Sequence, residues 1–187
     1  MGNGSNRRSP DRIRPATRER ERSGFVTRKE PNVLGRLLTP ERVVVAHGAR
    51  DKWEAIRQLV DVFVDTGDYD SVERQRILSA VYDRERKMST GLERGVAIPH
   101  GVYDGVSTER AVLGVFRGGV DFQSRDGKPS DFVMMLLYPP EARQEHVQNL
   151  SDIVRTFSSD ALCEQLRGTD DPDDLFARLA GDDGSSS

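Results

Sequence analysis

The run Val133-Met134-Met135-Leu136-Leu137 is apolar at odd and even positions alike. Side chains of a strand alternate between its faces, so such a strand must be covered on both sides, as a central strand between helical layers is. Pro139-Pro140 stops it, and Pro140 suits the first turn of a following helix. Helical patterns flank the strand in sequence, which favours α/β layering over a bundle.

Trp53, Ile56, Leu59, Val60, Phe63 and Val64 recur at helical spacing, with Asp51 and Glu54 at N-cap and N3. A second helix follows Asp70, with Glu73 three residues on and Val72, Ile77, Leu78, Val81 and Tyr82 as apolar surface. Beyond Pro140, His146, Leu150, Ile153, Val154 and Phe157 share a broad face, so His146 lies on the packed side. A short helix holds Leu162, Cys163 and Leu166. The last has Asp171 as cap, Pro172 at N1 and Asp174 at N3, packs Leu175, Phe176 and Leu179, and ends before Gly181. Strands are expected at 42–46, at Val96–Ile98 where Pro99 ends it or leaves it on an edge, at Ala111–Phe116, and briefly at Val120–Phe122; Gly127 marks a turn.

Three segments follow: a polar, Arg-rich leader over 1–37, expected to be disordered, a domain over 38–181, and a flexible Ser/Asp/Gly tail over 182–187. The formal charge of -3 hides an asymmetry, because the first 43 residues are basic and the remainder acidic. The leader's arginines alternate with acids and prolines and have almost no aromatic partner for bases, so a solvated leader explains them better than dedicated nucleic-acid binding. No apolar run reaches the 18 or so residues of a membrane span and no apolar stretch follows the basic N-terminus as in a signal peptide. A cytoplasmic protein without membrane insertion is expected. Cys163 is the only cysteine and reads as a buried packing residue.

Chemistry is concentrated at the histidines. In Gly95-Val96-Ala97-Ile98-Pro99-His100-Gly101 an imidazole stands where a strand-like run meets a glycine. With an ordinary pKa near 6.5, such a ring has an available nitrogen at neutral pH as nucleophile, base or ligand. Three dispersed histidines without HExxH or a cysteine pair are poor grounds for zinc. Phosphoryl acceptance asks for one unprotonated nitrogen, an open approach and donors for the phosphoryl oxygens. Arg84 and the Ser89-Thr90-Gly91 loop can supply donors. Pro99 restricts the backbone before His100, and Gly101 leaves room for a partner. His47 is a weaker candidate.

Taken in order, Arg84-Glu85, Ser89-Thr90-Gly91, Gly95 to Gly101, Asp126-Gly127 before the apolar strand, and Glu145-His146 on the next helix resemble the fructose, mannitol and nitrogen-related branch of enzyme IIA proteins of the phosphoenolpyruvate-dependent phosphotransferase system. The resemblance implies a mixed β-sheet flanked by helices on both faces. It also implies that His100 accepts a phosphoryl group on Nε2 from an HPr-type phosphocarrier, that His146 orients His100 or stabilises the phosphorylated form, and that Arg84 binds the phosphate, with Ser89 and Thr90 as further donors. An enzyme IIB or a regulatory target receives the signal, with the nitrogen-related type slightly favoured; no cofactor is implied, and a monomer or weak dimer is expected. The competing reading is a noncatalytic regulatory protein-binding domain of the same fold. It draws on one departure: the family commonly has a glycine and often an asparagine where this chain has Glu93 and Arg94, which brings negative charge towards the pocket.

Overall fold

A computed structural model of the chain describes residues 31–46 and 48–181. Most of the expected leader, the expected tail over 182–187 and His47 lie outside the described residues. Order begins earlier than expected. Helix α1 (Val33–Leu37) buries Val33, Leu34 and Leu37, and Asn32 caps it while donating from Nδ2 to the Leu179 carbonyl at 2.7 Å. Five residues are too few to display a helical period, so this stretch is indistinguishable by pattern from the polar leader before it.

Among the described residues the sheet has five strands: β1 (Val43–Ala46), β2 (Val96–Ala97), β3 (His100–Val102), β4 (Arg110–Val120) and β5 (Ser130–Tyr138). Their order is β1-β4-β5-β2, with β3 also paired to β5. β1 runs parallel to β4, β4 antiparallel to β5, and β2 and β3 parallel to β5, which makes the sheet mixed. Pro99 sits between β2 and β3, where its missing N–H costs no ladder bond, and its carbonyl accepts from Leu136 N at 2.9 Å. His100 therefore stands opposite Leu136 on a strand that resumes beyond the proline. The separate short strand expected at Val120–Phe122 does not form: β4 continues to Val120 through a register shift after Val115.

β5 fulfils the demand of its sequence. Phe132, Met134 and Leu136 join one buried cluster with α1, α4 (Arg143–Phe157), α5 (Asp160–Arg167) and α6 (Pro172–Ala180). Val133, Met135 and Leu137 join the other with α2 (Lys52–Asp65) and α3 (Ser71–Lys87). The fold is thus a mixed sheet with helices on both faces. Each fully buried Leu or Met adds about 1.5–3 kcal/mol, so this one strand anchors both layers.

Helix ends follow the capping chemistry. Asp70 and Glu73 close a complete capping box on α3. Asp51 accepts from Glu54 N, but the Glu54 carboxylate reaches Arg50 N rather than its own cap. Asp171 and Pro172 open α6 and Gly181 closes it at φ 76°. Pro140 lies in a 3-10 turn, Pro140–Ala142, just before α4. Two residues expected to pack are exposed: Val72 in the first turn of α3, and Val154, one position off the row His146, Asn149, Ile153, Phe157 that α4 buries. Cys163 is buried as expected, and burial raises its thiol pKa.

Candidate functional site

The last turn of α3, the start of β3 and the first turns of α4 converge beside the end of β5. The close approach of α3 to β3 depends on Gly101: a Cβ there would stand 3.0 Å from Val81 Cγ2 and 3.2 Å from Val81 N. The space at Gly101 is therefore filled by the protein's own helix. The expectation that it stands open to a partner is corrected by this packing. The same approach brings Arg84 across to His100.

His100 is held at both nitrogens. Nδ1 lies 2.9 Å from the Ile98 carbonyl, which can only accept, so the proton is on Nδ1 and Nε2 carries the lone pair. Arg84 Nε donates to that Nε2 at 2.9 Å, while Arg84 Nη1 is tied to the Met88 carbonyl. Burial pushes the His100 pKa from 6.5 down to about 4, against the Ile98 hydrogen bond and with help from Arg84 and His146. The ring is neutral at pH 7. It opens on a cavity of about 210 Å³ whose walls include Asp83, Arg84, Lys87 and Tyr138.

His146 approaches from α4 with ring centroids 4.9 Å apart. It is buried and stacked on Tyr138, centroids 3.7 Å apart and planes 11° from parallel. Its Nδ1 lies 2.5 Å from Glu109 Oε1, and Asn149 Nδ2 donates to Glu109 Oε2 at 2.6 Å. His146 Nε2 is buried without a hydrogen-bond partner among the described residues.

Arg84, His100 and His146 are thus brought together. Ser89 and Thr90 are otherwise engaged: Thr90 donates from N and Oγ1 to the buried Glu85 carboxylate, and Ser89 Oγ shares its one proton between Glu85 and the Phe122 carbonyl. Lys52 Nζ completes that cluster at 2.9 Å from Glu85. Glu93 and Arg94 do not line the cavity at His100; Arg94 pairs with Asp160 on α5, and its own N–H donates to Asp126. The negative charge expected at the pocket from Glu93 is directed elsewhere, because Glu93 faces a separate groove shared with Leu92, Val154 and Phe157.

Residues 36–181 match the family described as "Phosphoenolpyruvate-dependent sugar phosphotransferase system, EIIA 2". The chain belongs to that family. Members of the EIIA 2 family are phosphoryl-transfer components of the system. A PTS system fructose-specific EIIA component of Haloferax volcanii is 32% identical over 130 residues, 69% of this chain and 83% of the relative. The crystal structure of nitrogen regulatory protein IIA-Ntr from Neisseria meningitidis superposes with a TM-score of 0.71 at 27% identity, over 79% of this chain and 99% of that one. The enzyme IIA for mannitol from Escherichia coli, solved in complex with phosphorylated enzyme IIB, superposes at 0.64 with 26% identity, over 77% and 97% of the two chains.

Within this EIIA 2 chain, sequence reasoning missed Glu109, Asn149 and Tyr138. Asn149 stands three residues after His146 on the row that α4 buries, a polar pair inside an amphipathic face that needs a partner. That signal points to an acceptor but not to Glu109, which reaches the site through the sheet. Among the described residues, no helix is long and apolar enough to cross a membrane.

Proposed function

We propose that the chain accepts a phosphoryl group on His100 Nε2 from the phosphohistidine of an HPr-type carrier, and passes it to an enzyme IIB or holds it as a regulatory signal. The observation that carries this is the tautomer: with Nδ1–H fixed on the Ile98 carbonyl, the nucleophilic lone pair lies on the nitrogen that faces Arg84. A neutral imidazole attacks phosphorus in line, and what the protein adds is positioning and charge stabilisation. Arg84, which occupies the lone pair in the resting protein, transfers its N–H bonds to the phosphoryl oxygens as they arrive, a match for which the guanidinium fork is suited. Lys87 adds positive charge at the cavity mouth. His146 is the second histidine of the pocket, beside the phosphorylated ring. Ser89 and Thr90 support the site through the Glu85 loop, and a direct phosphate contact from either needs a hydroxyl to leave Glu85.

The mannitol enzyme IIA seen with phosphorylated IIB supports relay as one destination. The likeness to nitrogen regulatory protein IIA-Ntr supports regulation as the other destination, and we slightly favour it. There the addition of about one to two negative charges alters affinity for a target.

Incubation with phosphoenolpyruvate, enzyme I and HPr, read by intact mass, tests the transfer. An acid-labile gain of one phosphoryl mass that disappears in His100→Ala is expected. No gain with an active cognate carrier overturns the transfer and leaves a noncatalytic binding domain. A IIB protein retained by the chain favours relay; binding of a kinase, channel or transcription regulator that changes with phosphorylation favours regulation.

A further inference from the structure

Glu109 is the residue immediately before β4, it is 7% exposed, and its two carboxylate oxygens are both turned on α4. Oε1 faces His146 Nδ1 and Oε2 accepts from Asn149 Nδ2, while Asn149 Oδ1 lies 3.5 Å from Arg36 on α1. A carboxylate facing a ring nitrogen fixes the tautomer, so Nδ1 of His146 is the protonated position. The opposite nitrogen, Nε2, is buried with no hydrogen-bond partner among the described residues. A buried polar atom without a hydrogen bond costs about 1–3 kcal/mol and calls for an explanation. The ring is closed on one face by Tyr138, and its other aromatic neighbour is His100.

On the basis of the phosphoryl transfer proposed above, we infer that Glu109 is a positioning residue for it: Glu109 fixes the His146 ring through Nδ1 and supplies the charge against which Nε2 takes up a proton when a phosphoryl group arrives on His100. The unpartnered atom then becomes a donor to a phosphoryl oxygen. On transfer, the His100 Nε2 lone pair forms the bond to phosphorus as the donor's P–N bond breaks, its electron pair returning to the donor imidazole. His146 takes its proton from solvent and releases it when the group leaves.

The groups facing His146 favour this switch only once the anion is present. His100 and the Arg84 guanidinium on it oppose a second positive charge in the resting site. Glu109 and the Tyr138 ring face favour it, a stacked aromatic being a good neighbour for a cation. Asn149 is neutral, and Arg36 lies beyond it. The phosphoryl group engages Arg84 and adds negative charge, which tips the balance towards the imidazolium.

Nitrogen-15 NMR of His146 in the full chain tests this, with His100 phosphorylated either by phospho-HPr or by phosphoramidate, a small chemical donor that needs no carrier. The resting protein is expected to show Nδ1 protonated and Nε2 bare; the phosphorylated protein shows both protonated at pH 7. Glu109→Gln is expected to keep the fold, to leave Nε2 bare after phosphorylation, and to shift the equilibrium with phospho-HPr about tenfold back towards HPr. Glu109→Asp recovers part of the shift. A wild-type Nε2 that stays bare after phosphorylation, or a Glu109→Gln protein indistinguishable from wild type, overturns the inference whatever the variant's stability. Labelling by phosphoramidate but not by phospho-HPr overturns the proposed carrier function and leaves the His146 readout standing. Failure of both donors overturns the two together.

Discussion

Glu85 and Glu109 are both buried carboxylates within reach of the same pocket, and they differ in what neutralises them. Glu85, with no side-chain exposure, accepts from Lys52 Nζ, Ser89 Oγ, and Thr90 N and Oγ1. Its charge is met by a permanent cation and its oxygens by fixed donors. Glu109 is met by an amide and an imidazole, neither of them a permanent cation. A carboxylate of the first kind holds a loop in place, whereas one of the second kind is sensitive to events at its partner. Burial alone does not separate the two; the identity of the donors does.

Matched substitutions sharpen that contrast. Glu85→Gln leaves Lys52 facing a neutral group and turns an amide N–H towards existing donors, a loss of about 3–5 kcal/mol for a buried pair broken on one side. In a domain of this size the melting temperature falls by about 10 °C, since 1 kcal/mol corresponds to about 2–4 °C. Glu109→Gln should cost less, because it strips no permanent cation of its partner: the amide oxygen still accepts from His146, and the new NH2 is met once the Asn149 amide turns its oxygen towards it. Calorimetry on both variants decides it. Equal losses would dissolve the distinction between the two carboxylates.

Gly101→Ala probes the packing that places Arg84 rather than either carboxylate. The added methyl meets Val81 side chain and backbone, so α3 must shift, at about 1–3 kcal/mol. The nearer consequence is a displaced guanidinium, and phosphoryl acceptance should fall although no charged group has been altered. Unchanged acceptance with an unchanged melting temperature would show that the helix yields without cost. Arg84→Lys is the milder companion: it keeps the charge and loses the fork, and about a tenfold drop in acceptance rate with little change in stability is expected in single-turnover labelling.

How much of this was legible in the sequence depends on whether the signal is local. The two-faced apolar run at 133–137 required helices on both sides, and β5 is shared between two clusters as that pattern demands. Asp70 with Glu73, and Asp171 with Pro172, announced helix starts because capping acts within one turn. What escaped depends on distance. The role of Ser89 and Thr90 was read from their proximity in sequence to His100, but Glu85 takes up both hydroxyls from four and five residues away. Glu109 lies 37 residues from His146 and meets it only because β4 and the α4 end of β5 are adjacent. Glu93 and Arg94 stood out as a departure from the family pattern beside the pocket, but at Arg94 the backbone has a φ of 66° and the side chain is salt-bridged to Asp160 on α5.

The smallest expected effect is an absence of titration where an ordinary histidine titrates. With its pKa near 4, His100 stays almost wholly neutral from pH 8 down to about 6, so the nucleophile's availability should be flat across that range with no inflection at 6.5. Below 6.5 the unfolded chain binds the proton that the folded ring resists. The stability associated with His100 is therefore present above pH 6.5 and is lost as the pH falls towards 4. An NMR titration of the His100 Cε1 proton is the direct check: a midpoint near 4 supports a desolvated ring, and a midpoint at or above 6.5 would mean that the pocket holds its imidazole in water.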